Sequence, residues 1–296
     1  MKQIVVLSGK GGTGKTSLVA SFAVIANSAV AVDCDVDAPD LHLLLQPSIL
    51  KVKDFYGPKL ASIDKGKCIK CGLCIENCRF NAINDDFKID PFACEGCGVC
   101  GAVCPQEAVT FTEQKAGKTF ISKTKYGLMV HALLNPGQEN SGKLVTMTRL
   151  FASVVAQEEK RSLIIIDGSP GIGCSVIASV TNVDYALVVT EPTESGIHDL
   201  KRLLSLIKHF SIKPLVCINK YDINEENTKK IENLCANENI PVLGKIPFNP
   251  IVVEAMVNGK PVVEYSPESD VTKEINKIWS RINLLLYKEI RKAKYS

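Results

Sequence analysis

The sequence lacks the features that would assign it to a membrane or to nucleic acid. No uninterrupted apolar stretch approaches the roughly 18 residues that a transmembrane helix needs, and Met1 leads directly into a strand-like run, without room for a signal peptide. The formal net charge is +3, but Lys and Arg are scattered among Asp and Glu and form no basic run. We therefore expect a cytoplasmic protein with neither nucleic acid nor a membrane among its partners.

Histidine is also scarce, and the four His residues form no ligand constellation. Cysteine, in contrast, is abundant: the chain has twelve, and eight of them fall between residues 68 and 104. In a reducing compartment such a concentration indicates a metal site rather than disulfides.

The eight cysteines form two runs, "CIKCGLCIENC" and "CEGCGVCGAVC", that share the spacing C-x2-C-x2-C-x3-C. The second run follows the first at an offset of 26 residues, so the segment is an internal duplication. Zinc ribbons usually present two ligand pairs separated by a longer spacer. Four closely spaced thiolates, repeated twice, match the run of bacterial ferredoxins, which favours two [4Fe–4S] clusters over zinc or a disulfide knot.

The resemblance to two-cluster ferredoxins implies a division of the ligands, because there the first three cysteines of a run hold one cluster and the fourth holds the other. One cluster would take Cys68, Cys71, Cys74 and Cys104, and the other would take Cys94, Cys97, Cys100 and Cys78. Arg79 stands where the ferredoxin run has proline, whereas Pro105 is in place in the second run. We expect a changed turn at Arg79 and no lost ligand.

A second motif, "SGKGGTGKTS" at residues 8–17, satisfies two nucleotide-binding patterns. Read as G-x-G-x-x-G, it is the outline of a dinucleotide site. Read as G-x-x-x-x-G-K-[ST], it is a P-loop that cradles phosphates, with Lys15 reaching the β and γ phosphates and Thr16 ligating magnesium. Only the second pattern needs Lys15 and Thr16. The predicted nucleotide-binding residues of the loop are Gly9, Gly11, Gly12, Thr13, Gly14, Lys15, Thr16 and Ser17.

Outside the cysteine-rich segment, short β-branched runs alternate with helical patterns. Strands are predicted at 3–7, 29–33, 163–167, 185–190, 214–219 and 240–246, and helices at 16–27, 143–160, 196–210 and 225–237. This alternation predicts an α/β fold with a mostly parallel sheet and helices on both faces. Ligands of such sheets bind at the carboxyl ends of the strands.

Two segments at predicted strand ends carry suitable residues. In "DGSPG", Asp167 is placed to reach the magnesium shell and Gly171 allows the backbone to approach the γ-phosphate. In "NKYD", Asn219 begins a pair of amide and carboxylate groups that can recognise a purine edge. A dinucleotide site offers no role for Lys15, Thr16 or Asp167, so it becomes the minor alternative.

Lys10 in "GKGGTGKT" resembles the extra lysine of the deviant P-loop in the ParA, MinD, Mrp and nitrogenase iron protein superfamily. This resemblance implies ATP hydrolysis in a nucleotide-dependent homodimer or closely related heterodimer, with Lys10 reaching the partner's nucleotide. It also implies that an aspartate after the second strand positions the attacking water; Asp35 is the best match, and Asp33, Asp37 and Asp40 are weaker ones. The segment from Pro247 to Asn249 would lie against the base.

The order of parts resembles MinD-superfamily ATPases that contain an inserted ferredoxin domain. It implies a discontinuous ATPase domain at 1–55 and 120–296 and a small α+β insert at 56–119. The function expected is that of an ATPase that uses ATP, Mg²⁺ and two [4Fe–4S] clusters and that couples nucleotide to electron transfer with an unknown redox partner.

Two alternatives remain open. The first is an Mrp-like carrier or assembly ATPase for iron–sulfur clusters. The second is a MinD-like positioning protein that binds membrane through residues 271–294, although a helix that packs on its own sheet gives the same pattern. Cys174 has the spacing from Asp167 of a cluster ligand in the nitrogenase iron protein, but residues 111–160 contain no second cysteine, so we expect no shared third cluster. Buried thiols are expected at Cys34, Cys217 and Cys235.

Overall fold

The structure, a computed structural model, describes residues 1–136 and 141–294, with side chains as far as residue 287. These residues form two compact units. The larger one contains Met1–Val52, Thr119–Leu133 and the residues from Ser141 onward, and the smaller one contains Lys53–Lys118 and residues 134–136. All eight cysteines of the two runs lie in the smaller unit.

The strands, in chain order, are β1 (Lys2–Leu7), β2 (Val30–Asp33), β3 (Ser48–Ile63), β4 (Val109–Thr124), β5 (Gly127–Leu134), β6 (Leu163–Asp167), β7 (Tyr185–Thr190), β8 (Lys213–Asn219) and β9 (Val242–Ile246). The helices are α1 (Lys15–Ala26), α2 (Leu41–Leu45), α3 (Leu73–Glu76), α4 (Val99–Ala102), α5 (Ser141–Glu158), α6 (Cys174–Val180), α7 (Glu194–His209), α8 (Glu225–Asn237), α9 (Ile251–Val257), α10 (Val262–Tyr265) and α11 (Asp270–Lys294).

Seven parallel strands form the sheet of the larger unit, in the order β5-β2-β6-β1-β7-β8-β9. β4 and then β3 extend this order beyond β5. The central strands are mostly apolar, as expected of a parallel sheet with helices on both faces; β6 and β7, for example, are buried at every residue. The predicted α/β fold with a mostly parallel sheet is confirmed.

The six predicted strands and four predicted helices are all present, with ends within about two residues of those expected. The sequence patterns missed three strands, β3, β4 and β5. The sequence of β3, "SILKVKDFYGPKLASI", contains Gly, Pro and four charged residues, so neither a continuous apolar run nor a period of two marks it as a strand.

The apolar face of α11 packs within the larger unit. Ile275, Trp279, Ile282 and Leu286 are all buried, and the rings of Phe22 and Trp279 lie 5.0 Å apart. The helical pattern that also suggested a membrane-binding helix therefore corresponds to a core-facing helix. Within the part of the chain that the structure describes, no helix has the length and apolar character required to cross a bilayer.

The smaller unit repeats its backbone at the offset of the cysteine runs. α3 and α4 are equivalent short helices, preceded by Gly72 and Gly98 with φ values of 84° and 85°. Each half also bonds to the other: the Asp64 N–H donates to the Ala108 carbonyl and the Asp90 N–H to the Ala82 carbonyl, both at 2.8 Å. The internal duplication in the sequence is thus a duplication of structure.

Candidate functional site

The P-loop joins the carboxyl end of β1 to the start of α1. Gly14 has φ of 86°, and a Cβ atom there would lie 2.4 Å from Nδ2 of Asn219. That amide donates a hydrogen bond of 2.8 Å to the Thr13 carbonyl oxygen, which ties the end of β8 to the loop. Glycine is favoured at position 14, because other residues rarely adopt this left-handed backbone and a Cβ atom would displace the Asn219 amide.

Lys15 and Asp167 form a buried ion pair at the centre of the site, with Nζ 2.5 Å from Oδ1. They are 6% and 1% exposed, so water screens little of their attraction. Burial lowers the pKa of Lys15, but the charges of Asp167 and two neighbouring aspartates outweigh it and raise the pKa above its usual value. Lys15 is therefore a fixed cation.

Asp33 and Asp35 have different surroundings at the end of β2. The fully buried Asp33 carboxylate accepts hydrogen bonds from the backbone N–H groups of Asp35, at 3.0 Å, and Leu41, at 3.1 Å. Burial and the charge of Asp167 hold the pKa of Asp33 well above its usual range. Asp33 thus shapes the loop, whereas Asp35 is half-buried and lines the adjoining cleft. Burial also raises the pKa of Asp35, although Lys15 opposes this.

The cleft beside the P-loop contains about 1440 Å³ of space free of protein atoms, part of it open to solvent. One part of it is lined by the P-loop and by residues at or just after the ends of β2, β8 and β9, which are Ser8, Gly11–Ser17, Asp35, Asp40, Asn219, Lys220 and Pro247–Asn249. The hydroxyl of Thr13 is buried, without a hydrogen-bond partner in the described part of the chain. The cleft therefore offers exposed loop backbone and the Lys15 cation, both of which suit a bound phosphate.

Gly171 and Asp222 lie in the two segments that follow β6 and β8. Gly171 has φ of 90°, donates its N–H to the Ser8 carbonyl at 2.9 Å, and a Cβ atom there would meet nothing within 4 Å. Asp222 accepts a hydrogen bond of 2.7 Å from the Phe248 N–H. Its carboxylate therefore orders the segment that follows β9.

Lys10 is held within its own chain by a residue that no motif indicated. Glu191, at the end of β7, contacts Nζ of Lys10 at 3.7 Å and Nζ of Lys220 at 2.6 Å. Lys10 also donates to the Ser195 hydroxyl at 3.3 Å. The one sequence signal for Glu191 is its position in "VTEPTESG", directly after an apolar strand, because polar residues at that edge of a parallel sheet often contact ligands.

The eight cysteines of the smaller unit line two separate cavities. The first cysteine cavity, of about 330 Å³ including open space, is lined by Cys68, Cys71, Cys74 and Cys104. The second cysteine cavity, of about 360 Å³ measured in the same way, is lined by Cys78, Cys94, Cys97 and Cys100. Burial raises the pKa of Cys74 and of Cys100, the equivalent residues of the two runs. The cavities thus divide the cysteines into the two sets that the ferredoxin resemblance implies.

The donor set of each cavity fits a [4Fe–4S] cluster, which is held by four cysteine thiolates. Within residues 1–136 and 141–287, no three His, Cys, Asp or Glu side chains converge as a single metal ion would require. A [4Fe–4S] cluster does not require such convergence, because each thiolate would bind a different iron and the four sulfurs would lie farther apart than around a single ion.

The remaining cysteines lie in the larger unit. Cys34, Cys217 and Cys235 are buried, as expected, and burial raises the pKa of the first two to about 12 and that of Cys235 to about 11. Cys174 is exposed at the start of α6. The buried thiols are therefore protonated and unreactive at neutral pH.

Known proteins resemble this chain in fold and in part of its sequence. The family model of the CobQ/CobB/MinD/ParA nucleotide binding domain matches residues 4–262. An uncharacterised protein of Methanocaldococcus jannaschii is 34% identical over 228 residues, which cover 76% of this chain and 80% of that protein. Pyruvate synthase subunit PorD of Methanothermobacter marburgensis is 40% identical over 53 residues, or 18% of this chain and 65% of that protein. The septum site-determining protein MinD of Pyrococcus horikoshii, solved with Mg-ADP, aligns with a TM-score of 0.62 at 19% identity over 96% of each chain, which shows a shared fold.

Proposed function

The chain belongs to the CobQ/CobB/MinD/ParA nucleotide-binding family, and we propose that it is a magnesium-dependent ATPase that carries two [4Fe–4S] clusters. ATP binding would form a dimer and would be linked to electron transfer through the clusters. The observation that carries the proposal is the presence, in one chain, of a P-loop with a buried lysine and of two cavities that are each lined by four cysteines.

The P-loop residues support phosphate binding. Lys15 already carries a fixed charge, and its present partner is a carboxylate. When a triphosphate enters, the lysine can exchange that carboxylate for phosphate oxygens without losing an anionic partner. Thr16 and Asp167 would then hold magnesium, which neutralises charge on the phosphates. A magnesium nucleotide is also bound in the MinD relative of Pyrococcus horikoshii.

Asp35 is suited to orient the water that attacks the γ-phosphorus. It is half-buried, lines the cleft and lies two residues beyond Asp33, whose hydrogen bonds fix the loop. Hydrolysis would release ADP and phosphate, and Lys15 would return to Asp167. Because phosphoryl transfer depends on positioning and charge more than on covalent chemistry, a rigid loop is the main requirement.

The second lysine of the loop supports a role in the dimer. Lys10 is partly exposed, and its contacts with Glu191 and Ser195 lie within one chain. In a nucleotide-bound dimer it would exchange these contacts for the phosphates of the partner's nucleotide. The clusters would supply one-electron transfer, and the twelve cysteines of the chain include the eight thiols that two cubes need.

The first experiment is metal analysis of protein purified without oxygen. We expect about eight iron and eight sulfide per chain, the content of two cubes. Stoichiometric zinc with little iron would contradict the ferredoxin part of the proposal and leave the ATPase part intact.

The second experiment separates the two lysines. Lys15→Ala should abolish ATP binding in calorimetry, because the phosphates lose their cation. Lys10→Ala should bind ATP but fail to dimerise in sedimentation or light scattering. If both variants dimerised with ATP as the unaltered protein does, the proposed dimer would be refuted.

The third experiment tests linkage between nucleotide and clusters. If the two are coupled, a non-hydrolysable ATP analogue must shift a cluster's reduction potential, and reduction must change ATP affinity by the same factor. Lys15→Ala is the control. Unchanged potentials, together with transfer of iron to an acceptor apoprotein, would favour the cluster carrier instead.

A further inference from the structure

The two cysteine cavities are duplicates, so their surroundings can be compared position by position. The backbone hydrogen bonds to sulfur are matched: the Ala82 N–H donates to Cys78 Sγ and the Ala108 N–H to Cys104 Sγ, both at 3.3 Å. Such hydrogen bonds are one determinant of a cluster's reduction potential, and net charge is another. Because the hydrogen bonds are equal, a difference in charge would distinguish the two cavities.

One position in the lining differs in charge between the duplicates. Ile69 lines the first cysteine cavity, and Glu95, which follows it by the repeat offset of 26 residues, lines the second. Both residues directly follow the first cysteine of their run. An apolar side chain beside one cavity is thus replaced by a carboxylate beside the other.

The segments that carry the first three cysteines of each run differ in the same sense. Residues 64–76 contain three basic and two acidic residues, a net charge of +1, namely Lys65, Lys67 and Lys70 against Asp64 and Glu76. The equivalent residues 90–102 contain Asp90 and Glu95 and no Lys or Arg, a net charge of −2. Glu95 is the member of this set that lines a cavity.

Resting on the proposed function, in which both cavities hold clusters, we propose that Glu95 makes the cluster of the second cysteine cavity harder to reduce, so that the first electron resides in the first cavity. An oxidised cube with four thiolates carries about −2, and reduction adds one electron. Glu95 is exposed at the rim of the cavity, so water weakens its effect, but its carboxylate still disfavours that added charge by Coulomb repulsion. The transfer of one electron from the second cluster to the first would break or form no bond and would move no proton.

The test is an EPR-monitored potentiometric titration of both clusters in the full chain, without oxygen and with dithionite as the reductant. Glu95→Gln should raise the potential of one cluster and make the distribution of the first electron about threefold more even, which is about 28 mV for a one-electron couple. Ile69→Glu, the reciprocal change, should lower the potential of the other cluster. The matched control is Glu113→Gln on β4, a glutamate that is exposed like Glu95 but lines neither cavity.

Iron and sulfide are measured on every variant, so two failures remain distinguishable. About eight iron per chain with potentials that are unchanged in both Glu95→Gln and Ile69→Glu would overturn this inference and leave the proposed function standing. Equal shifts in Glu95→Gln and Glu113→Gln would also overturn it, because a general charge effect would then suffice. Little iron and no cube signal in the unaltered protein would overturn the proposed function and this inference with it.

Discussion

Neutralising Asp167 should destabilise the larger unit in the absence of nucleotide. The carboxylate lies 2.5 Å from Nζ of Lys15, and the pair is almost completely buried. At that distance the attraction is about 7 kcal/mol for an effective dielectric constant of 20, and desolvation of both charges offsets part of it. Asp167→Asn leaves a buried ammonium without its counter-charge, a change that typically costs about 3 to 5 kcal/mol.

The effect should depend on the lysine. In Lys15→Met, Asp167 and Asp33 become two neighbouring buried carboxyls without a cation, and the protein is destabilised again. The double variant Lys15→Met/Asp167→Asn removes both charges together. Its loss of stability should therefore be smaller than the sum of the two single losses by about 2 to 3 kcal/mol, the upper part of the roughly 0.5 to 3 kcal/mol found for residues in direct contact.

The assay is urea unfolding of all four proteins without nucleotide, followed by tryptophan fluorescence. Trp279 is the single tryptophan of the chain and packs against Phe22 in the core of the larger unit, so its signal reports on that unit. If the losses of the single variants added within about 0.5 kcal/mol, the two charges would not be coupled and the described ion pair would be refuted.

Three further changes test other parts of the structure. Gly14→Ala should weaken ATP binding in calorimetry by about tenfold or more, because its Cβ would lie 2.4 Å from the Asn219 amide at a positive φ. Gly96→Ala should lower iron from about eight to about four per chain, because its Cβ would lie 2.3 Å from the Lys59 carbonyl oxygen. Burial lowers the pKa of His131 to about 4. As the pH falls, His131 is protonated in the unfolded state before it is protonated in the folded state, so the free energy of unfolding decreases below about pH 6.5. By pH 5 about 2 kcal/mol of this free energy should be lost, as measured by urea unfolding. His131→Gln should not show this loss.

Each change has its own control. Gly11→Ala should bind ATP more tightly than Gly14→Ala, because a Cβ at position 11 would meet nothing within 4 Å. Lys70 occupies the position equivalent to Gly96 with φ of 55°, so the left-handed backbone alone is tolerated there; full iron content in Gly96→Ala would refute the steric argument. His209 is exposed, and His209→Gln should keep the pH dependence of the unaltered protein.

The parallel sheet could be predicted from sequence because its strands are local signals. β6 before Asp167 and β7 before Thr190 are unbroken apolar runs. The helices between the strands are recognised separately, by apolar residues that recur with the helical period of 3.6. β5, "GLMVHALL", is also apolar, but at eight residues it cannot be told from a short helix by periodicity. β3 and β4 are each 16 residues long and partly polar, and no local pattern identifies them. Their pairing is determined by contacts that are distant in sequence.

The candidate site likewise contains residues that the sequence indicates and residues that only the tertiary structure brings together. The motif indicates Lys15 and Thr16 because a P-loop is contiguous in sequence. It does not indicate Glu191, which meets Lys10 and Lys220 only after three strand ends have been brought to one edge of the sheet. The family resemblance favours Asp35 over Asp33, which is two residues away and alike in type, but it gives no physical reason for the choice. Burial and backbone hydrogen bonds, which arise from tertiary structure, separate their roles.

The two lysines of the loop differ most in what they lose when they change partners. Lys10 contacts Glu191 at 3.7 Å with 40% of its side chain exposed, so the pair contributes at most about 1 kcal/mol. Lys15 lies 2.5 Å from Asp167 with 7% of its side chain exposed, and leaving that carboxylate is costly unless another anion takes its place. One P-loop lysine can therefore move between chains at small cost, whereas the other can leave its partner only for a phosphate. A single loop thereby supplies both a contact that a dimer can exchange and a fixed cation for the nucleotide.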